Sequence, residues 1–110
     1  MENYKKTLYR IEKEWADFMK SERFFDEEEN RMEKMKIKKL IVQVWEDKSL
    51  SKVSKNQLIE NSIRVLGEHT GCAEDLMISD EIMKALMEKK ILDANIYDVF
   101  FSKSPMKRWL

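Results

Sequence analysis

The 110-residue sequence predicts an all-α protein: a compact bundle of about five helices, the first two long and the last three short. Three observations carry that expectation. Large apolar residues recur at spacings of three and four, the period of a helix face. Helix-capping residues stand ahead of those stripes. Turn formers are scarce, with two Gly and one Pro, too few for the hairpins of a barrel or sandwich. A chain this long buries about two-thirds of the surface its unfolded form exposes. A single helical domain over 1–110 therefore needs neither disulfide nor metal to fold, and residues 103–110 form a basic and aromatic tail.

The first helix is expected over 3–24. Tyr4, Leu8, Ile11, Trp15, Phe18 and Phe25 lie on one stripe, and Lys5, Lys6, Glu12, Lys13, Asp17 and Lys20 lie opposite. Three heptads are short for a coiled-coil seam, so the stripe reads as a bundle face. The second helix is expected over 27–46. Asp26 is its N-cap and Glu29 completes a capping box, and acidic residues in the first turn suit the positive end of the helix dipole. Ile37, Leu40, Ile41, Val44 and Trp45 follow at i, i+3, i+4, i+7 and i+8. The same 40–45 run is β-branched and competes as a strand, but no partner strand can be found, so helix is preferred.

Ser54 and Gln57 form a second capping box, with Val53 and Leu58 placed for a hydrophobic staple. The third helix is expected over 55–68, burying Leu58, Ile59, Ile63 and Leu66. Gly67 or Gly71 would supply its left-handed end. Ser79 is the expected cap of a fourth helix over 80–91 that turns Ile82, Met83, Leu86 and Met87 inward. Asp93 caps a fifth over 94–102. Ile96, Val99 and Phe100 share one side of it, with Tyr97 and Phe101 on a second flank, and Pro105 closes the helical region. Trp15, Phe18, Ile41, Ile63, Leu66 and Leu86 are the expected core.

Lys and Arg equal Asp and Glu at 21 each, so the overall charge gives no nucleic-acid footprint. Charge is nevertheless uneven. Residues 56–102 hold 4 basic and 9 acidic residues, and residues 103–110 hold 3 basic and none acidic. No apolar run approaches the ~20 residues of a membrane span, and the N-terminal stretch lacks the apolar core of a signal peptide. With one cysteine, Cys72, no disulfide can form within the chain, and a cytoplasmic location is expected. His69 and Cys72 lack the third group that nucleophilic or metal chemistry needs, so they read as part of a polar connection. There is no phosphate-binding Gly-rich loop and no His-Glu-x-x-His. The carboxylates read as solvated faces beside Lys and Arg. No catalytic residue, metal ligand, cofactor or small-molecule substrate is expected.

Lys52 to Leu66 resembles the second helix of ribbon-helix-helix repressors, and Lys39 to Val44 resembles their ribbon. The first helix of that fold would have only Trp45 to Lys52 to occupy, which is too short. A capping box ahead of an amphipathic helix accounts for the match, and no family is assigned. The expected function is a non-enzymatic protein–protein interaction module: a small inhibitor of a host enzyme or complex, of phage or plasmid type by analogy, an adaptor, or an assembly subunit. Its partner would be another protein or a second copy. Phe24, Phe25, Phe101, Trp109 and Leu110 are the expected anchors, because large side chains at helix ends are hard to bury and carry interface energy. The alternative is a nucleic-acid-binding regulator using Arg31, Lys34, Lys38 and Lys39 on the second helix, or Lys107 and Arg108 in the tail.

Overall fold

Tyr4, Leu8, Ile11, Trp15 and Phe18 all turn inward from a single helix, α1 (Tyr4–Phe18). A computed structural model describes residues 3–18, 20–21, 26–70 and 73–102, the side chains at 73, 101 and 102 excepted. Among these residues α1 is followed by α2 (Glu27–Glu46), α3 (Lys52–Glu68), α4 (Ala73–Glu88) and α5 (Ala94–Ser102), with no strand. The all-α expectation holds. The division into two long and three short helices does not, because α3 and α4 match α1 in length and only α5 is short. The radius of gyration is 13.7 Å, close to the ~13 Å of a compact chain of this size.

Asn3 opens α1, its side chain accepting from the Lys6 amide. The helix ends at Phe18 rather than near 24. The Ser21 amide and hydroxyl both donate to the Phe18 carbonyl, at 3.0 and 2.8 Å, and this tight turn replaces a further helical turn. Helix α2 begins and ends where its caps and stripe predict, with Asp26 accepting from the Glu29 amide. The β-branched 40–45 run is helical because Leu40, Ile41 and Val44 share one buried side. Trp45 falls outside that side and is 41% exposed, contrary to its place in the stripe.

Two starts differ from expectation for the same reason. In α3 the cap is Ser51, whose hydroxyl accepts from the Ser54 amide at 3.1 Å. Ser54 thus lies inside the first turn, and Val53 is exposed rather than stapled. In α4 the helix begins six residues before Ser79. Ser79 is fully buried in mid-helix, where its hydroxyl is 2.9 Å from that of Thr70. A serine reads as a cap because its hydroxyl competes for backbone partners; here a neighbouring hydroxyl satisfies it. Ser62, also buried, bonds back to the Leu58 carbonyl. The buried face of α3 is Leu58, Ile59, Ser62, Val65 and Leu66, and Ile63 is only half-buried.

Helix α4 ends in a Schellman motif. The Ile91 amide bonds the Leu86 carbonyl and the Lys90 amide bonds that of Met87, the paired pattern that closes a helix with one left-handed residue. That residue is Lys90, at φ 61°. Gly67 does not do this for α3, because it is helical; Gly71 lies outside the described residues. Asp93 caps α5 as expected, accepting from the Ile96 amide.

The core is arranged around α2, against which α1, α3 and α4 pack; α1 also meets α3, and α5 rests on α4. Its C-terminal half meets the others with Ile37, Leu40, Ile41 and Val44, joined by Leu66, Ile78, Ile82 and Leu86. Its N-terminal half buries polar groups instead. Lys34 is 1% exposed, with its ammonium 3.6 Å from buried Asp75 and 3.1 Å from the side-chain Oδ1 of Asn30. Asn30 donates to Asp75 at 2.7 Å. The Lys34 ammonium also lies 5.0 Å from the centre of the Trp15 ring, whose Nε1 donates to the Glu33 carbonyl. His69 meets Trp15 edge to face, with ring centres 5.2 Å apart. Burial, then the Lys34 charge, lowers the His69 pKa from its usual value. Among the described residues every buried side-chain polar atom has a partner. Asp75 and Glu33 are thus carboxylates of the interior, not of the solvated faces expected from the sequence.

Candidate protein-docking groove

Helix α5 is short and apolar nearly all round, so it cannot bury every large side chain against α4. Phe100 turns inward, its ring packing over α3 at Gly67, where a Cβ would stand 3.4 Å from the ring. Tyr97 is half-buried and its hydroxyl donates to Asp80 on α4. Asp80 stabilises the protonated phenol and pushes its pKa up to about 12. These two anchors orient α5 and leave Ile96 and Val99 facing out, 37% and 42% exposed.

Between α5 and the outer side of α3 lies an open groove of about 850 Å³. Its floor is Ile59, Ile63, Ile91, Leu92, Val99 and Phe100. Its rim carries Asn56, Glu60, Arg64, Glu68 and Asn95. Arg64 is paired with Glu68 at 2.8 Å along α3, which leaves the rim with a net negative charge. A smaller hollow continues past Asn56 to the α2–α3 turn, lined by Trp45, Leu50, Lys48, Lys52, Lys55 and Glu46. Lys55 donates to the Trp45 carbonyl at 2.9 Å. Nearby Asp47 is held by the Ser49 hydroxyl and by Tyr4, whose hydroxyl donates to it at 2.6 Å. These hydrogen bonds, Ser49's first, lower the Asp47 pKa to about 2.

Of the anchors expected from sequence, Phe24, Phe25, Trp109 and Leu110 lie outside the described residues, as does the side chain of Phe101. The cationic candidates on α2 do not form one surface. Lys34 is enclosed in the interior, so its ammonium is out of a phosphate's reach. Arg31 is paired with Glu81 of α4. Lys36, beside them, bridges Glu14 and Glu33 at 3.1 and 3.0 Å. Lys38 is half-buried and Lys39 exposed; Lys107 and Arg108 lie outside the described residues. Sequence reasoning missed Trp45, Lys48 and Lys52 at the turn, and it grouped Ile96 and Val99 with Phe100 on one side of α5, where only Phe100 is buried. The available signal was α5 itself: nine residues with apolar side chains on two flanks exceed what one neighbouring helix covers.

Among the described residues no group of His, Cys, Asp and Glu is placed to hold a metal ion. No described helix is long and apolar enough to cross a membrane. Comparison with protein-family models, with curated proteins and with solved structures finds no match to the chain.

Proposed function

We propose that the chain is a non-enzymatic protein–protein interaction module, of the kind that serves as an inhibitor, adaptor or assembly subunit, and that it takes an amphipathic helix of its partner into the α3–α5 groove. The carrying observation is the groove itself. Contiguous exposed apolar surface costs solvation free energy and marks interaction sites. An open, apolar-floored groove between two helices suits the helix-in-groove mode, read by apolar residues at i, i+3, i+4 and i+7. The net negative rim favours a partner helix whose polar flank includes Lys or Arg. The large apolar side chains of the tail and helix ends, Phe24, Phe25, Phe101, Trp109 and Leu110, stay within this proposal as further anchors. The nucleic-acid alternative retains Lys38, Lys39, Lys107 and Arg108, but Arg31 and Lys34 are engaged by carboxylates.

The test is site-specific photocrosslinking from position 96, with position 32, exposed on α2, as control. The crosslinked partner is then purified and its affinity measured. Val99→Lys should weaken binding at least about tenfold, the loss typical of a spoiled anchor, with circular dichroism unchanged. A partner crosslinked equally from both positions and indifferent to Val99→Lys would reject the groove. A log affinity falling steeply with log salt on duplex DNA would favour the alternative.

A further inference from the structure

We infer that the groove is directional: the partner helix lies antiparallel to α3, with an acidic C-terminal end over Lys48, Lys52 and Lys55 beside Trp45. The inference rests on the docking reading above and adds orientation and charge pattern to it. The two hollows adjoin at Asn56, and together their linings, a furrow in two parts, follow the outer side of α3 from the α2–α3 turn to Glu68. Helix α3 has 17 residues, which at 1.5 Å each makes about 25 Å, the length of a partner helix of about 16 residues.

The furrow changes sign along its length. At the Glu68 end its charged groups are Glu60, Glu68 and Arg64. At the turn end they are Lys48, Lys52, Lys55 and Glu46. Lys52 and Lys55 also occupy the first turn of α3, where the positive end of the helix dipole disfavours cations. No acidic residue stands in that turn; Asp47, in the connection just before it, offsets part of the Lys55 charge, so Lys48 and Lys52 carry most of the positive field. Lys48 and Lys52 form no ion pair among the described residues. This end is therefore a cationic pole beside an exposed indole. A helix C-terminus carries about half a negative charge, so acidic side chains and the partner's own dipole both favour placing that end over the lysines. Its N-terminal half, with its basic residues, then meets Glu60 and Glu68.

Two fluorescein-labelled 16-residue synthetic helices test this. They share one apolar face and net charge, one with Glu in its C-terminal half and Lys in its N-terminal half, the other with that pattern reversed. Each is titrated into the full chain by fluorescence anisotropy. The C-terminally acidic peptide should bind about fivefold more tightly at low salt, the sum of a few exposed charge contacts, and the gap should shrink at high salt. Lys48→Glu with Lys52→Glu should reverse the preference. Glu suits the first turn of a helix, so this variant keeps α3 intact. Val99→Lys should weaken both peptides. Equal affinities for the two peptides, both lost in Val99→Lys, would overturn the direction and leave the groove. Binding of neither peptide, or binding untouched by Val99→Lys, would overturn both. Self-association by sedimentation that Val99→Lys disperses would place a second copy in the groove and also overturn the inference.

Discussion

Lys34 shows how one residue's role depends on what packs around it. Placing an ammonium in the interior costs several kcal/mol of desolvation, offset only by close partners of opposite charge. Asp75 supplies the opposite charge, the Asn30 Oδ1 accepts a hydrogen bond, and the Trp15 ring adds a cation–π contact. Removing one member breaks this ion pair in the interior, where the loss is poorly compensated. Asp75→Ala should therefore destabilise the fold by about 3–5 kcal/mol in urea unfolding. Lys34→Met combined with Asp75→Leu should restore most of that loss, because apolar replacements of a buried pair are often neutral or better. His69 reports on the same cluster. Its folded pKa lies below the ~6.5 of an unfolded histidine, so between those values the unfolded chain binds more protons. Its contribution is full above about pH 6.5 and is lost as pH falls through the folded value. As the chain's single histidine, it should account for the fall in the urea midpoint between about pH 7 and 5.5. His69→Gln should flatten that fall.

At the scale of elements, caps and stripes were legible wherever the local sequence alone satisfies the backbone. Asp26 and Asp93 accept from amides three residues on, as their spacing predicts. Ser54 and Ser79 resemble caps equally well, yet one lies in a first turn and the other bonds Thr70 across the interior. Nothing local separates the two cases, since a serine hydroxyl bonds a helix amide or a neighbouring side chain with similar ease. Lys90 shows the converse. The Schellman turn after α4 wants glycine, and a residue with a Cβ in the left-handed region pays for it, by roughly 1–2 kcal/mol. Part of that gain is returned as backbone entropy by a glycine. Lys90→Gly should thus raise stability by about 0.5–1 kcal/mol, seen as a higher urea midpoint with an unchanged slope.

Across the whole molecule, α2 is the beam on which three helices rest, and Trp15 joins its polar and apolar halves. The indole is buried, bonded to the Glu33 carbonyl and in contact with Lys34 and His69. Trp15→Ala should cost about 3–5 kcal/mol, the range for a large buried aromatic, measured by urea unfolding. A variant as stable as the parent would mean that α1 contributes little to the core. The furrow along α3 also exists only at this scale, because its walls come from α2, α3 and α5.

The helical class, the full span of α2 and α5, the stripe of α1 and most of the apolar core are legible in the residues alone. Those follow from 3.6-residue periodicity and from capping groups within one turn of their targets. Which charges are surface and which are interior emerges only when the helices pack. Lys34 and Asp75 are 41 residues apart, and a lysine reads as solvated until a carboxylate is packed against it. The same holds for Ile96 and Val99. A helix face is apolar by sequence, but whether it is covered depends on where its neighbours stop, and α3 and α4 leave that side of α5 open.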